Sequence, residues 1–239
     1  MSEPTEQSNP ASGAEFKSPM LSHAAWVRIL PFLVYLFFTV AADLLGRLGV
    51  SPAALRWLYP IKIFAVVVTL VMFYRHYTEL HRWRVSPKGA AMAIVVGVAV
   101  FVLWIKFSSG WLLIGTPAGF DPRTEGHIDW LLVALRIAGA ALVVPVMEEL
   151  FWRSFLMRYL EASDFEGVAP AAVRLQCVMI AALLFGFEHN QWLAGIAAGV
   201  AYSVLYRRQG SLWAPILAHA VTNGVLGVWI VSTANWSYW

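Results

Sequence analysis

Two adjacent carboxylates, Glu148 and Glu149, lie in the run Val144-Pro145-Val146-Met147-Glu148-Glu149-Leu150-Phe151-Trp152-Arg153, in one of the most apolar stretches of a very apolar chain. A carboxylate that must give up its water is costly, and inside a membrane segment such a group is a functional-site candidate by default. On a helix, Glu149 and Arg153 are four residues apart and can pair in the favourable acid-first order. Glu148 is turned about 100° from its neighbour and is not served by that pairing. One reading is a structural ion pair with a second carboxylate at an aqueous rim. The other is a pair that fixes the helix while Glu148 acts as a general base, a role suited to a carboxyl group withdrawn from water.

Two further polar islands interrupt apolar runs. The first is Phe185-Gly186-Phe187-Glu188-His189, in which Phe185 and His189 are one helical turn apart, so the ring can pack on the imidazole. A single histidine at a helix end also reads as an interfacial residue, and Glu188 is expected to point elsewhere, toward water. The second is His219 and Asn223, again four apart, after Gly210-Ser211-Leu212-Trp213-Ala214-Pro215, a turn followed by a helix-starting proline. His219 lies about 16 Å along its helix from Arg207 and Arg208, and Glu148 a similar distance from Arg158. Both then fall near the membrane midplane, measured from the same side. A His–Asn pair that only glues helices together is worth about 0.6 kcal/mol on average. Taken together, a carboxylate, two imidazoles and an amide on three spans are the inventory for activating one water. They could do so around a divalent metal such as Zn2+ held by Glu148, His189 and His219, or by direct hydrogen bonding.

The elements that must position these groups are membrane spans. Of 239 residues, 59% are hydrophobic and only 13% charged, too little polar surface for a soluble domain of this size. The expected fold is all-α, a polytopic transmembrane helical bundle. Seven apolar segments fall at 26–46, 57–74, 89–107, 129–157, 170–188, 191–206 and 212–233, and Pro145 could divide the fourth to make eight. Several of the twelve tryptophans (Trp26, Trp57, Trp83, Trp111, Trp130, Trp213) fall near segment ends, where indole rings favour the interface. Residues 1–22, rich in Ser, Pro and Glu, read as a disordered cytoplasmic tail, and 23–239 as a single membrane domain. Val40-Ala41-Ala42 resembles a signal-peptidase site, but the apolar run is too long and its polar leader too extended, so the first segment reads as an uncleaved span. The sixth segment would run about 25 Å as helix, short of the roughly 30 Å hydrocarbon core. The Glu188–Asn190 turn is then submerged, which is tolerated where protein buries it or it lines a wet cavity.

Net charge is +3 with a pI near 9.1, but the basic residues crowd short connections (Arg75, Arg82, Arg84, Lys88; Arg207, Arg208). That is the pattern of cytoplasmic loops and not of a nucleic-acid surface, and it puts the N-terminus in the cytoplasm. The single cysteine, Cys177, reads as a small core hydrophobe. Several familiar hydrolytic motifs are missing: there is no His-Glu-x-x-His string, no Gly-x-Ser-x-Gly elbow and no pair of intramembrane aspartates, Asp43 being one turn from Arg47.

Glu148-Glu149-xxx-Arg153, Phe185-xxx-His189 and His219-xxx-Asn223, in that order, resemble the motifs of the CPBP intramembrane proteases, a family that takes in CaaX prenyl endopeptidases and bacteriocin-processing or self-immunity proteins. The Gly-Ser-Leu-Trp-Ala-Pro-Ile stretch before His219 is similar to that of bacterial members, and the resemblance covers about 130–230. The Pro-Val-Met-Glu-Glu-Leu-Phe-Trp-Arg context looks most like the CaaX-protease-related proteins that accompany bacterial exosortase systems. Ser154 departs from the pattern, since many relatives carry Gly there. The resemblance implies an endopeptidase of the bacterial inner membrane acting on a membrane-associated protein or peptide among membrane lipids. It further implies that Glu148, helped by His189, activates water, that His219 and Asn223 stabilise the oxyanion or complete a metal site, and that Glu149, Arg153 and Phe185 support them. Intramembrane carboxylates and histidines also mark proton and ion paths, so a transporter, a scaffold or an immunity protein is the alternative, although no inverted repeat is present.

Overall fold

The computed structural model describes residues 21–115 and 119–239. Among the described residues seven helices run back and forth across one bundle: α1 His23–Arg47, α2 Pro52–Met72, α3 Pro87–Lys106, α4 Trp130–Tyr159, α5 Leu175–Phe187, α6 Trp192–Gln209 and α7 Trp213–Thr233. Each expected segment is a helix, with ends within five residues of those read from the sequence. Five of them, α1 to α4 and α7, are long and apolar enough to cross a membrane, and α5 is a shorter apolar helix. The chain is thus a multi-pass membrane protein. The all-α expectation needs one small amendment, an antiparallel hairpin pairing β1 Arg123–Thr124 with β2 His127–Ile128. Its two-residue turn places Glu125 and Gly126 at positive φ, the geometry that tight hairpins demand.

Helix starts follow local chemistry. Ser22 and Ser86 hydroxyls accept from Ala25 and Gly89 N–H at 3.2 and 3.1 Å, and Asp129 accepts from Leu131 and Leu132, each satisfying first-turn donors that lack a helical partner. Gly210, left-handed at φ 63°, ends α6. Of the expected 1–22 tail, residues 1–20 lie outside the described residues; Ser22 caps α1, and Leu21 packs against the buried cluster of Ala25, Ile29, Phe155 and Phe165. Cys177 is buried, as its apolar context implied, and Arg47 pairs with Asp43 at 2.9 Å.

Pro145 does not split α4. The helix absorbs it with π-helical turns at Gly139–Val143 and Leu150–Leu156 on either side of the α-helical turn Val144–Glu149. The eight-helix alternative is therefore excluded, because the wider turns accommodate the missing N–H and the ring without a break.

Helices α5 and α6 form the tightest hairpin, since Ala182 and Gly186 face Gly195 and Gly199. A Cβ on Gly199 would lie 2.8 Å from Ala182 Cα, and one on Gly186 2.7 Å from the Trp192 carbonyl. Small residues at four-residue spacing let two backbones meet, which is how spans associate where lipid offers no hydrophobic drive. Gly199→Val is expected to prise this hairpin apart and lower stability by about 1–3 kcal/mol. The check is the unfolding midpoint in detergent beside an exposed control such as Leu142→Val.

The bundle has two unlike ends. The connections α2–α3, α4–α5 and α6–α7 gather Arg75, Arg82, Arg84, Lys88, Arg174, Arg207 and Arg208, while the α1–α2, α3–α4 and α5–α6 connections gather at the other end. At the basic end Arg28 is 1% exposed. It holds both Glu79 oxygens at 2.9 Å, meets Glu166 at 3.1 Å and reaches the Ser154 hydroxyl at 3.2 Å. Ser154 in turn donates to Glu79 and accepts from Arg158 at 2.8 Å. Ser154 is thus the hub that ties α4 to α1 and to the α2–α3 connection. Burial alone would push the Glu79 carboxyl upward, but the hydrogen bonds and charge of Arg28 outweigh it and hold it below its ordinary 4.5. A carboxyl group depressed in the folded state stabilises above its unfolded value, and that contribution is lost as pH falls through the folded one. Stability should therefore drop on acidification below about pH 4.5, and Glu79→Gln should flatten that part of the profile.

Candidate active site

The three polar islands meet. Glu148, His189, His219 and Asn223 all line one cavity of about 580 Å³, with Glu148 and His219 at its depth and both only 5% exposed.

Helix α4 sets the two glutamates about 100° apart, and α7 brings His219 between them. Glu149 Oε1 accepts from Arg153 Nη1 at 3.1 Å and from His219 Nδ1 at 3.0 Å. At the opposite edge of the same imidazole, His219 Nε2 is 3.9 Å from Glu148 Oε2. The expected Glu149–Arg153 pair is present, and it carries a second task that sequence spacing could not show, fixing the orientation of His219. A carboxylate paired with arginine has no proton to give, so Nδ1 is the donor and Nε2 is the nitrogen that faces the cavity. Glu149 is fully buried and Arg153 is 2% exposed. The Arg153 guanidinium also lies over Phe185 at 4.5 Å and over Tyr202 at 5.4 Å and bonds the Gly199 carbonyl. That last contact reaches the backbone because residue 199 has no side chain.

His189 lies in the turn just after α5, where Phe185 O accepts from its Nδ1 at 2.8 Å. The Phe185 ring packs on it at 4.8 Å, as the four-residue spacing implied, and Trp104 meets it edge-on at 5.2 Å. A carbonyl can only accept, so this imidazole too offers Nε2 as its free nitrogen. The Glu188–Gln191 turn is pinned from outside: Asn190 exchanges bonds with Ile114 at 2.7 and 2.8 Å, and Gln191 donates to Trp104 O. Glu188, His189, Asn190 and Gln191 of this turn line the cavity, and Glu188 is exposed, so it meets water, as expected, from the cavity wall.

Asn223 makes no pair with His219. Its Nδ2 donates to Ala140 O at 2.8 Å, and the reason lies in α4. In the π-helical turn, Val144 N–H bonds Gly139 O. The next bond of that i→i+5 series would join Pro145 to Ala140 O, and proline has no N–H. Asn223 supplies the missing donor and keeps its second amide hydrogen for the cavity.

Sequence reasoning missed Tyr202, which stacks on His219 at 5.1 Å and shares a 2.7 Å bond with Thr222. The signal was available, since Gly195, Gly199 and Tyr202 fall at helical spacing on one face of α6. It also missed Arg136 and Lys62, cations inside apolar segments.

Two buried atoms, Oε2 of Glu148 and of Glu149, have no partner among the described residues, and for Glu148 that atom faces His219 across the cavity's depth. An unpaired buried polar atom calls for an explanation, and a water-activating role supplies one. Among the described residues no three His, Cys, Asp or Glu side chains gather closely enough to hold a metal ion.

The class the fold defines is a multi-pass membrane protein with a polar cavity between its helices. Within it, residues 130–225, about two-fifths of the chain, match the family described as Type II CAAX prenyl endopeptidase Rce1-like. That span runs from the start of α4 into α7 and contains every residue of the Glu148, His189, His219 and Asn223 set. No curated protein and no solved structure matches the chain.

Proposed function

We propose that the protein is an intramembrane endopeptidase that hydrolyses a peptide bond of a membrane-associated protein or peptide with water activated by Glu148. The observation that carries this is the convergence of Glu148, His189, His219 and Asn223 on one cavity, within a segment similar to CAAX prenyl endopeptidases. Glu148 takes one proton of the water while His189 Nε2 accepts a hydrogen bond from the other. The hydroxide so formed adds to the scissile carbonyl. The oxyanion takes hydrogen bonds from Asn223 Nδ2 and, when His219 is doubly protonated, from its Nε2; such donors are commonly the largest single contribution to acyl-transfer catalysis. Collapse breaks the C–N bond, and the proton held by Glu148 passes to the leaving amine. The zinc reading assigns Glu148, His189 and His219 to a metal instead. It is tested by dialysis against EDTA and 1,10-phenanthroline: activity is expected to persist, and loss restored by zinc would favour the metal.

The cavity opens at the end of the bundle opposite the basic connections, with Tyr35, Trp104, Ser108 and Asn190 on its walls. If the basic end is cytoplasmic by the positive-inside rule, the substrate enters from the outer face of a bacterial inner membrane. The exosortase-associated subgroup rests on the Pro145–Arg153 context, and would make sorted surface proteins the substrates. Comparative proteomics of membrane fractions tests the whole reading. A Glu148→Gln strain should accumulate uncleaved precursors that share a sequence at the cut. Precursors indistinguishable from wild type, with the deletion phenotype absent, would favour a scaffold.

A further inference from the structure

A second cavity, of about 390 Å³, lies at the basic end of the bundle and shares no lining residue with the first. Four arginines and two carboxylates face it, but the charges are not matched evenly. Arg28 is fully engaged, holding Glu79 at 2.9 Å and Glu166 at 3.1 Å. Both acids are therefore already answered by one cation. Arg82, Arg84 and Arg158 form no ion pair among the described residues. Arg158 is the decisive one, because it is only 7% exposed. Its Nε donates to Ser154 O at 2.6 Å, its Nη2 to the Ser154 hydroxyl at 2.8 Å and its Nη1 to Val168 O at 3.4 Å. Two of its five N–H donors are left over. A buried cation without a counter-ion is costly until something brings the missing charge.

Other donors converge on the same space. Tyr206 and Ser211 are 3% and 5% exposed, yet their hydroxyls line the cavity and bond to no described residue. Helix α7, of 21 residues, begins beside them without a side-chain cap. Its first N–H groups and the positive end of its dipole therefore face the Gly210–Leu212 turn that walls the cavity. Such a helix start suits an anion. Here it is joined by a buried guanidinium from α4 and by two exposed ones from the α2–α3 connection.

We infer that this cavity binds a phosphate group, carried by an anionic lipid headgroup or present as the free ion, at a site separate from hydrolysis. A planar carboxylate takes its donors in one plane, whereas tetrahedral phosphate takes them from several sides, as three separate elements offer them here. The cavity is larger than a bare phosphate ion fills, so a phosphodiester fits as well. Its arginines stand at the ends of spans, the depth of lipid headgroups, and basic pockets between helices at that level recognise such groups.

The test uses the full chain in non-ionic detergent, titrated with phosphatidylglycerol and, as a zwitterionic control, with phosphatidylcholine. Native mass spectrometry counts the lipids retained. One phosphatidylglycerol is expected to bind at least about 10-fold more tightly than further copies or than phosphatidylcholine. Arg158→Gln should weaken that site roughly 10- to 100-fold. Arg158 also supports Ser154 and Val168, so a second variant, Tyr206→Phe with Ser211→Ala, removes only hydroxyls that no described residue uses. It should bind about 3- to 10-fold more weakly, with its unfolding midpoint in lipid-free detergent unchanged. Inorganic phosphate is then added to the loaded protein. Phosphate that leaves the tight lipid in place assigns the site to the headgroup. Phosphate that displaces the lipid, and raises the unfolding midpoint of the wild type more than that of the variants, assigns it to the free ion. Binding that shows no single tight copy, or that is equal in the wild type and both variants, reflects only the attraction of a basic surface and overturns the site.

Discussion

Glu148→Gln is expected to give a protein that folds like the wild type and cleaves at least about 100-fold more slowly, the scale set by loss of a general base. The substitution is nearly isosteric, and Glu148 Oε2 has no partner among the described residues to lose. What it removes is the ability to accept a proton, since an amide nitrogen is no base. Removal of a charge that burial disfavours leaves stability unchanged or slightly higher. Thermal unfolding in detergent and peptide cleavage are measured on the same preparation. Full activity in a well-folded Glu148→Gln protein would end the mechanism proposed here, whatever else the cavity does.

Arg153→Ala is expected to cost about 3–5 kcal/mol of stability, the usual result of breaking one side of a buried ion pair. Glu149 is fully buried and Arg153 nearly so. Without the guanidinium, the carboxylate keeps only the His219 N–H at 3.0 Å, and Phe185 and Tyr202 lose the cation that packs on their faces. A paired replacement by apolar residues, Glu149→Leu with Arg153→Met, should recover much of that loss, because it leaves no buried charge unanswered. It should not recover cleavage, since His219 Nδ1 then has no carboxylate to hold the ring. If the double variant regained both, the pair would be structural alone. Unfolding midpoints and cleavage rates across the three variants decide the matter.

How far the sequence reached can be traced residue by residue. Run length alone revealed the helices, because a span must be a certain length whatever it packs against. The pairing of Glu149 with Arg153 and the packing of Phe185 on His189 were legible because both are one-turn contacts on a single helix. The near coincidence in depth of Glu148 and His219 was also legible, by counting from the basic loops. Rotation was not: nothing in the spacing says which of two glutamates a histidine 70 positions away will bond. That Glu188 meets water was legible, but that it does so from the cavity wall was not, since the turn is pinned onto Ile114 and Trp104. The hub at Ser154 looked like a mild irregularity because its partners come from α1 and from the connection after α2.

Pro145 has a consequence for the order in which the molecule can be completed. A helix normally closes its own hydrogen bonds as it forms, independent of what is synthesised later. Here the Ala140 carbonyl is passed over by its own helix and is answered only by Asn223, 83 positions downstream. An open backbone acceptor within hydrocarbon is costly, so α4 stays unfinished until the last helix has been made and has docked. Assembly of the cavity is thereby tied to the arrival of α7. A nascent or truncated product lacking α7 would hold Glu148 in a helix with an unanswered carbonyl and without His219, which, on the proposed mechanism, leaves such a chain unable to cut its neighbours.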